Sequence, residues 1–118
     1  MATLTENWKT QIRKGYLELC ILLVIRRHGR VYGFDLLEKL AAVELDVKEG
    51  TLYPLLNRMI ADGLLLPTWD TENVKGHPRK FYSLTKAGSK SLEEMQDEFE
   101  SIVAIYRKLG KTEKGGSS

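Results

Sequence analysis

Apolar side chains recur every three to four positions in four stretches of the chain, which is the period of an amphipathic helix. The predicted helices span about 6–28, 33–43, 48–62 and 86–109. The second half of the first helix is apolar nearly all round, so several other elements must cover it. In the fourth helix the apolar residues are spaced 3, 4, 3, 4 and 3 apart, which is the seam of a helix that packs lengthwise against another helix.

An alternating pattern replaces the helical period after Gly63. Residues 64–69 are predicted to form one strand, and residues 79–84 a strand that returns beside it. The order of helix, helix, helix, two-stranded hairpin and long helix is that of a winged helix-turn-helix. We therefore expect a mainly α fold with a small β-hairpin and a long C-terminal helix that mediates dimerisation.

The size and composition of the chain fit one soluble domain. It has 118 residues, 42% hydrophobic and 29% charged, and its single cysteine cannot form an internal disulfide. The longest apolar run is too short to cross a bilayer, so we expect a cytoplasmic protein without a membrane segment. The predicted organisation is a winged helix-turn-helix DNA-binding domain over 1–85, a dimerisation helix over 86–109 and a disordered tail over 110–118.

Positive charge is concentrated locally, although the net charge is only +2. Residues 1–30 carry six basic and two acidic side chains, whereas residues 31–65 carry three basic and six acidic ones. The surface can therefore touch a polyanion at one place without being basic overall.

The third predicted helix presents polar, aromatic and basic side chains away from its apolar face. Thr and Asn can donate hydrogen bonds to phosphates or to base edges, and Arg can do either. The alternative is the solvated face of an ordinary helix. Pro54 is expected near the first turn, where the amide it lacks would have no partner. The candidate DNA-binding residues of this helix are Lys48, Thr51, Tyr53, Pro54, Asn57 and Arg58.

A second basic group surrounds the tip of the predicted hairpin, where Gly76 and Pro78 shape the chain. A stiff basic loop suits insertion beside or into a minor groove. The alternative role of such a loop is to keep the edge of the hairpin soluble. The candidate DNA-binding residues here are Lys75, Gly76, His77, Arg79 and Lys80.

The sequence shows no arrangement typical of catalysis or of cofactor binding. His28 and His77 have no Cys, His or carboxylate at ligand spacing, so we expect no metal site. Cys20 falls on an apolar face and is expected to be a buried, inert thiol. Neither a glycine-rich phosphate loop nor a nucleophile elbow occurs. We therefore expect neither an enzyme nor a bound cofactor.

Four runs of the sequence form a specific pattern when they are taken together. They are Tyr32-Gly33-Phe34-Asp35-Leu36, Glu49-Gly50-Thr51-Leu52-Tyr53-Pro54-Leu55-Leu56-Asn57-Arg58-Met59, Asp62-Gly63-Leu64-Leu65 and Gly76-His77-Pro78-Arg79-Lys80-Phe81-Tyr82-Ser83-Leu84-Thr85-Lys86-Ala87-Gly88. In this combination the chain resembles the PadR family of bacterial transcriptional regulators over about residues 10–109. Its single short C-terminal helix is similar to that of the compact branch of the family.

This resemblance implies a winged-helix repressor that binds a palindromic operator of double-stranded DNA as a homodimer. It places the polar residues of the third helix on a recognition helix and the basic loop in a wing, where His77 replaces a usual basic residue. The resemblance also implies dimerisation through the first and last helices. The implied interface residues are Trp8, Ile12, Leu92, Met95, Phe99, Ile102 and Tyr106.

Members of the family that bind flat drugs between their subunits carry a tryptophan in the last helix, and Phe99 stands at the matching position here. Trp8 and Phe99 are therefore candidates to line a site for an aromatic inducer, with packing as the alternative. The leading interpretation is a homodimeric, sequence-specific repressor. The alternative is a ligand-sensing or protein-interaction module of the same fold that binds no operator.

Overall fold

The predicted mainly helical fold is confirmed in a computed structural model of the chain, which describes residues 3–71 and 78–111. The elements in chain order are α1 (Leu4–His28), β1 (Arg30–Tyr32), α2 (Gly33–Ala41), α3 (Glu49–Ala61), β2 (Leu65–Asp70), β3 (Arg79–Leu84) and α4 (Lys86–Gly110). The predicted helices and strands are all present, with ends that differ by one or two residues. Gly110 belongs to α4 and not to the predicted tail, whose residues from 112 onwards lie outside the described part of the chain.

The strand β1 was not predicted from the sequence. It pairs antiparallel with β3, which also pairs antiparallel with β2, so the strand order is β1-β3-β2. The predicted two-stranded hairpin is therefore part of a three-stranded sheet. β1 has only three residues, of which Val31 alone is buried, and a strand this short shows no alternating pattern.

The core forms around the second half of α1. Ile21, Leu22 and Ile25 are fully buried, because α1 contacts α2, α4, β1 and β3. This confirms that a helix segment apolar on several sides needs several neighbours. The other helices contribute further fully buried side chains to the same core, namely Leu36, Leu40, Leu52, Leu56, Met59 and Leu92.

Thr85 joins the start of α4 to the turn that follows α3. Its hydroxyl donates to the carbonyl of Gly63 at 2.6 Å and accepts from the backbone N–H of Gly88 at 2.9 Å, which makes Thr85 the N-cap of α4. Its own N–H donates to the carbonyl of Leu64 at 3.1 Å. A Cβ atom at Gly88 would lie only 2.1 Å from that same carbonyl oxygen. Only glycine therefore allows α4 to begin so close to the turn.

The outer halves of α1 and α4 extend beyond the core. Residues 3–15 are all exposed, as are residues 97–110 apart from Val103, and the described chain measures 64 × 36 × 24 Å. Both extensions carry large apolar side chains that the other described residues leave exposed. These are Leu4, Trp8 and Ile12 on α1 and Phe99, Ile102, Ile105, Tyr106 and Leu109 on α4.

The close approach at Gly88 predicts that Gly88→Ala destabilises the fold. The added methyl group overlaps a backbone oxygen that cannot move without breaking the turn, and overpacking of this kind costs about 1–3 kcal/mol. Urea unfolding followed by circular dichroism, at matched protein concentration, measures the loss. Gly50→Ala is the matched control, since no atom lies within 4 Å of a Cβ built there and alanine favours a helix. A Gly88→Ala protein that unfolds at the wild-type urea concentration would contradict this account of the joint.

Candidate nucleic-acid interface

The helix α3 presents a polar face to solvent and an apolar face to the core. Leu52, Leu56 and Met59 are fully buried on one side. The exposed side of α3 carries four of its six predicted DNA-binding residues, namely Thr51, Pro54, Asn57 and Arg58. Lys48 is exposed at the N-cap and makes no side-chain capping bond.

Pro54 lies inside α3, so the expectation that the amide it lacks would have no partner is wrong. It is the sixth residue of a helix that begins at Glu49, so the amide it lacks would have bonded to the carbonyl of Gly50. Because Pro54 is exposed, water can reach that carbonyl, which lowers the cost of the missing bond. The exposed face of α3 therefore offers a backbone acceptor without a helical donor.

Tyr53 differs from the other predicted contacts because its ring is half-buried against the core. A Cβ atom at Gly33 would meet the Tyr53 ring at 3.0 Å and its hydroxyl at 3.1 Å, so glycine at the start of α2 makes room for this ring. Burial is the main cause that raises the pKa of Tyr53, with smaller contributions from Glu49 and Tyr32. Its hydroxyl therefore keeps its proton at neutral pH and can donate a hydrogen bond.

Arg58 is directed to α1, where its guanidinium forms an ion pair with Glu18. An exposed pair of this kind contributes little to stability and can exchange partners. On the same side, Thr51 borders a cleft of about 370 Å³ that also includes Arg13 and Lys14 of α1. The start of α3 thus lies beside a basic stretch of α1 that the sequence interpretation did not assign to the interface.

The strands β2 and β3 form the wing, and their register gives it two different faces. Trp69 pairs with Lys80, and Pro67 with Tyr82, on the face that also carries buried Leu65, which we call the inner face. On the outer face Arg79 pairs with Asp70. The predicted contacts Lys75, Gly76 and His77 lie outside the described residues.

The outer face of the wing holds two arginines over aromatic rings. The Arg30 guanidinium lies 4.0 Å from the centroid of the Phe81 ring and 3.5 Å from a carboxylate oxygen of Asp70. The Arg79 guanidinium lies 5.1 Å from the centroid of the Tyr32 ring. Cation–π contacts orient these side chains while the charge stays exposed to solvent.

A slot of about 340 Å³ separates α3 from the inner face of the wing. Tyr53 and Asn57 line it from α3, and Trp69 and Lys80 line it from the wing, with Tyr32 at one rim. The structure thus brings predicted residues from both elements together. Sequence reasoning missed Tyr32 and Trp69, because the register that places Trp69 opposite Lys80 depends on strand pairing across a loop.

The apolar seam of α4 divides into a buried part and an exposed part. Leu92 and Met95, two of the interface residues that the resemblance implies, do not belong to the exposed surface of the protomer, because Leu92 is 0% exposed and Met95 packs against the core. They cover α1 within the same chain. The exposed part begins at Phe99 and continues through Ile102 and Tyr106.

Other chemistry in the described part of the chain is limited. Within residues 3–71 and 78–111, no group of three or more His, Cys, Asp or Glu side chains is placed to hold a metal ion. Burial raises the pKa of the half-buried Cys20 thiol, which therefore stays protonated at neutral pH. No helix in these ranges is long and apolar enough to cross a membrane.

Proteins of known sequence and structure share this architecture. A transcriptional regulator of Mycobacterium tuberculosis is 38% identical over 74 residues, which are 63% of this chain and 67% of that protein. A PadR-like transcription factor of Bacteroides fragilis is 40% identical, with 87% of this chain and 98% of that chain covered at a TM-score of 0.74. A PadR-like regulator of Bacillus cereus is 35% identical, with 87% and 99% covered at a TM-score of 0.77.

The family model described as PadR-like transcriptional regulators matches residues 21–94. These residues include most of the core, the whole of α2 and α3, and the wing strands. The fold, the helix-turn-helix and the relatives therefore agree with one another. This chain belongs to the PadR-like family of transcriptional regulators.

Proposed function

We propose that this protein is a homodimeric repressor that binds a palindromic DNA operator, with α3 in the major groove and the wing in the adjacent minor groove. One observation carries the proposal, namely that the exposed polar face of α3 and the cationic wing open onto the same slot. A role as a regulator, and not as an enzyme, agrees with the family and with the structural neighbours, which are transcriptional regulators.

The exposed face of α3 suits the reading of base edges. The major groove is about 12 Å wide and admits a helix. Thr51 and Asn57 can donate and accept hydrogen bonds there, and an asparagine can pair with adenine through two bonds. The carbonyl of Gly50, which lacks a helical donor because of Pro54, adds an acceptor suited to an amino group of cytosine or adenine. Phosphate contacts by Lys48, Arg58, Arg79 and Lys80 would fix the position of the helix. The sequence predicts further contacts by Lys75, Gly76 and His77.

The exposed halves of α1 and α4 support dimerisation. Tyr106 is 68% exposed and Leu109 83% exposed, and soluble monomers rarely leave such contiguous apolar surface uncovered. A second copy would cover Trp8 and Ile12 as well as the exposed stripe of α4 from Phe99 onwards. Two copies related by a twofold axis would place their recognition helices about one helical turn of DNA apart. In this arrangement the winged helix-turn-helix within residues 1–85 reads the DNA. Residues 86–109, together with the outer half of α1, hold the two copies together.

Selection from a randomised duplex pool tests the proposal directly. The purified full chain retains duplexes on a support, and the retained duplexes are sequenced after several rounds. The expected result is an inverted repeat whose half-sites are about one helical turn apart. Binding that weakens with added salt separates this function from a protein-interaction module that binds no operator. A pool that stays random in sequence would remove the assignment of α3 as a recognition helix.

Arg79→Ala and Asn57→Ala are expected to have different effects on binding. If Arg79 contacts phosphate, its loss weakens binding to all duplexes and lowers the slope of log K against log salt by about 0.9 per subunit. If Asn57 reads a base, its loss costs about 1–3 kcal/mol on the selected duplex and little on random DNA. Fluorescence anisotropy of labelled duplexes across a salt series measures both. Equal losses on selected and random DNA for both variants would contradict the division into phosphate and base contacts.

Phe99→Asp and Ile102→Asp are expected to convert the dimer into a monomer or an aggregate. Each places a charge in the apolar surface that the second copy would cover, and an unpaired buried charge is strongly unfavourable. Sedimentation velocity at micromolar concentration measures the assembly state. Ala104→Asp is the matched control, because Ala104 is exposed on the opposite side of α4. A folded wild-type monomer would contradict the dimer.

An aromatic inducer would act at the same surface. Trp8 and Phe99 lie on the two elements that form the proposed interface, and a flat compound between them would favour one separation of the recognition helices. Titration of tryptophan emission with planar aromatic compounds, with and without operator, tests this point. The inducer is expected to change the emission of Trp8 and to weaken operator binding together. If no compound does both, these aromatic residues serve dimer packing alone.

A further inference from the structure

Trp69 is a large side chain to which the proposed DNA contacts give no role. It is 63% exposed, although it lies on the inner face of the wing in line with buried Leu65. It lines the slot together with Tyr53 and Asn57 of α3. An exposed tryptophan beside polar groups is typical of a contact surface rather than of a core.

Lys80 gives this slot its charge. Its ammonium group lies 5.7 Å from the centroid of the Trp69 ring and 5.7 Å from that of the Tyr82 ring, so two cation–π contacts hold it at the inner face. None of the described residues that line the slot is acidic. The charge is therefore free to meet an anion that enters between α3 and the wing.

The path of a DNA strand supplies such an anion. A major groove and the minor groove next to it are separated by one sugar–phosphate strand. If α3 occupies the major groove and the wing occupies the minor groove, that strand passes between the two elements. The space between them is the slot. Its walls carry groups that match the strand, namely a cation for phosphate, a hydroxyl that can donate, and an indole for the deoxyribose.

We infer that the slot is a clamp for the backbone strand that separates the two grooves. Lys80 neutralises one phosphate in each half-site, the Tyr53 hydroxyl donates to the same strand, and Trp69 packs on the adjoining deoxyribose. This inference rests on the proposed function, and it assigns Trp69 to DNA positioning. Because the clamp contacts only the backbone, it sets the register of α3 in the groove and carries no base preference of its own.

Neutral phosphates locate the contact of Lys80. Duplexes recovered by the selection are synthesised with one methylphosphonate per half-site, moved stepwise along the strand, and are tested on wild type, Lys80→Met and Lys80→Arg. Methionine keeps the apolar stem of the side chain, so the variant loses mainly the charge. At one position the neutral group weakens wild-type and Lys80→Arg binding about tenfold but leaves Lys80→Met unaffected. If the methylphosphonate at every position weakens duplex binding by all three proteins equally, the clamp is overturned.

Trp69 is tested by fluorescence in single-tryptophan proteins. In Trp8→Phe the emission comes from Trp69, and in Trp69→Phe it comes from Trp8. Trp8 lies at the proposed dimer interface and does not line the slot, so it reports changes that are not due to contact with the strand. The duplex is expected to protect Trp69 from iodide quenching and to leave the quenching of Trp8 unchanged. If iodide quenches Trp69 equally with and without the duplex, in a complex verified by anisotropy, the contact between Trp69 and the strand is overturned.

The two proposals fail in different ways. A wild-type chain that binds no duplex at any salt concentration overturns the proposed function and the clamp with it. The clamp alone is overturned if the wild-type chain binds a selected duplex, but no methylphosphonate position depends on Lys80 and the duplex does not change the iodide quenching of Trp69.

Discussion

Apolar side chains project from several sides of α1. Leu19, Ile21 and Leu22 are all buried, although successive side chains on a helix point about 100° apart. One neighbour cannot cover such a surface, and each side chain of this size contributes about 1.5–3 kcal/mol when it is fully buried. The requirement to cover α1 draws α2, β1, β3 and the first half of α4 around it, and the remaining features of the molecule follow from that arrangement.

The candidate interface is one of these features. Packing of α3 through Leu52, Leu56 and Met59 turns its polar side outward. The sheet packs through Leu65 and Tyr82, so its far end carries Trp69 and Lys80 beyond the core on the same inner face. A slot arises where these two elements diverge. The site is thus positioned by rigid elements, and its polar groups need no support from a buried charge.

The sequence was sufficient for features that depend on local pattern. Periodicity located the four helices and the hairpin strands, and the side chains that suit a recognition helix were found because they alternate with a buried face. Features that depend on tertiary pairing were not found. β1 is too short for any pattern, and the register that brings Trp69 to Lys80 spans a loop. Leu92 and Phe99 fit the same heptad pattern, but Leu92 is buried and Phe99 is exposed. The difference depends on the length over which α1 covers α4, which the pattern does not show.

The joint at Thr85 links the end of α3 mechanically to α4. Its hydroxyl bridges Gly63 and Gly88, and the absent side chain of Gly88 allows direct contact with the backbone at Leu64. We expect such a joint to have little freedom to bend, so that α4 and the helix-turn-helix would move together. A small rotation of α4 would therefore be magnified into a displacement of the distant wing, without any change inside the protomer. In the proposed dimer, the angle between the two α4 helices would thus set the distance between the two recognition helices.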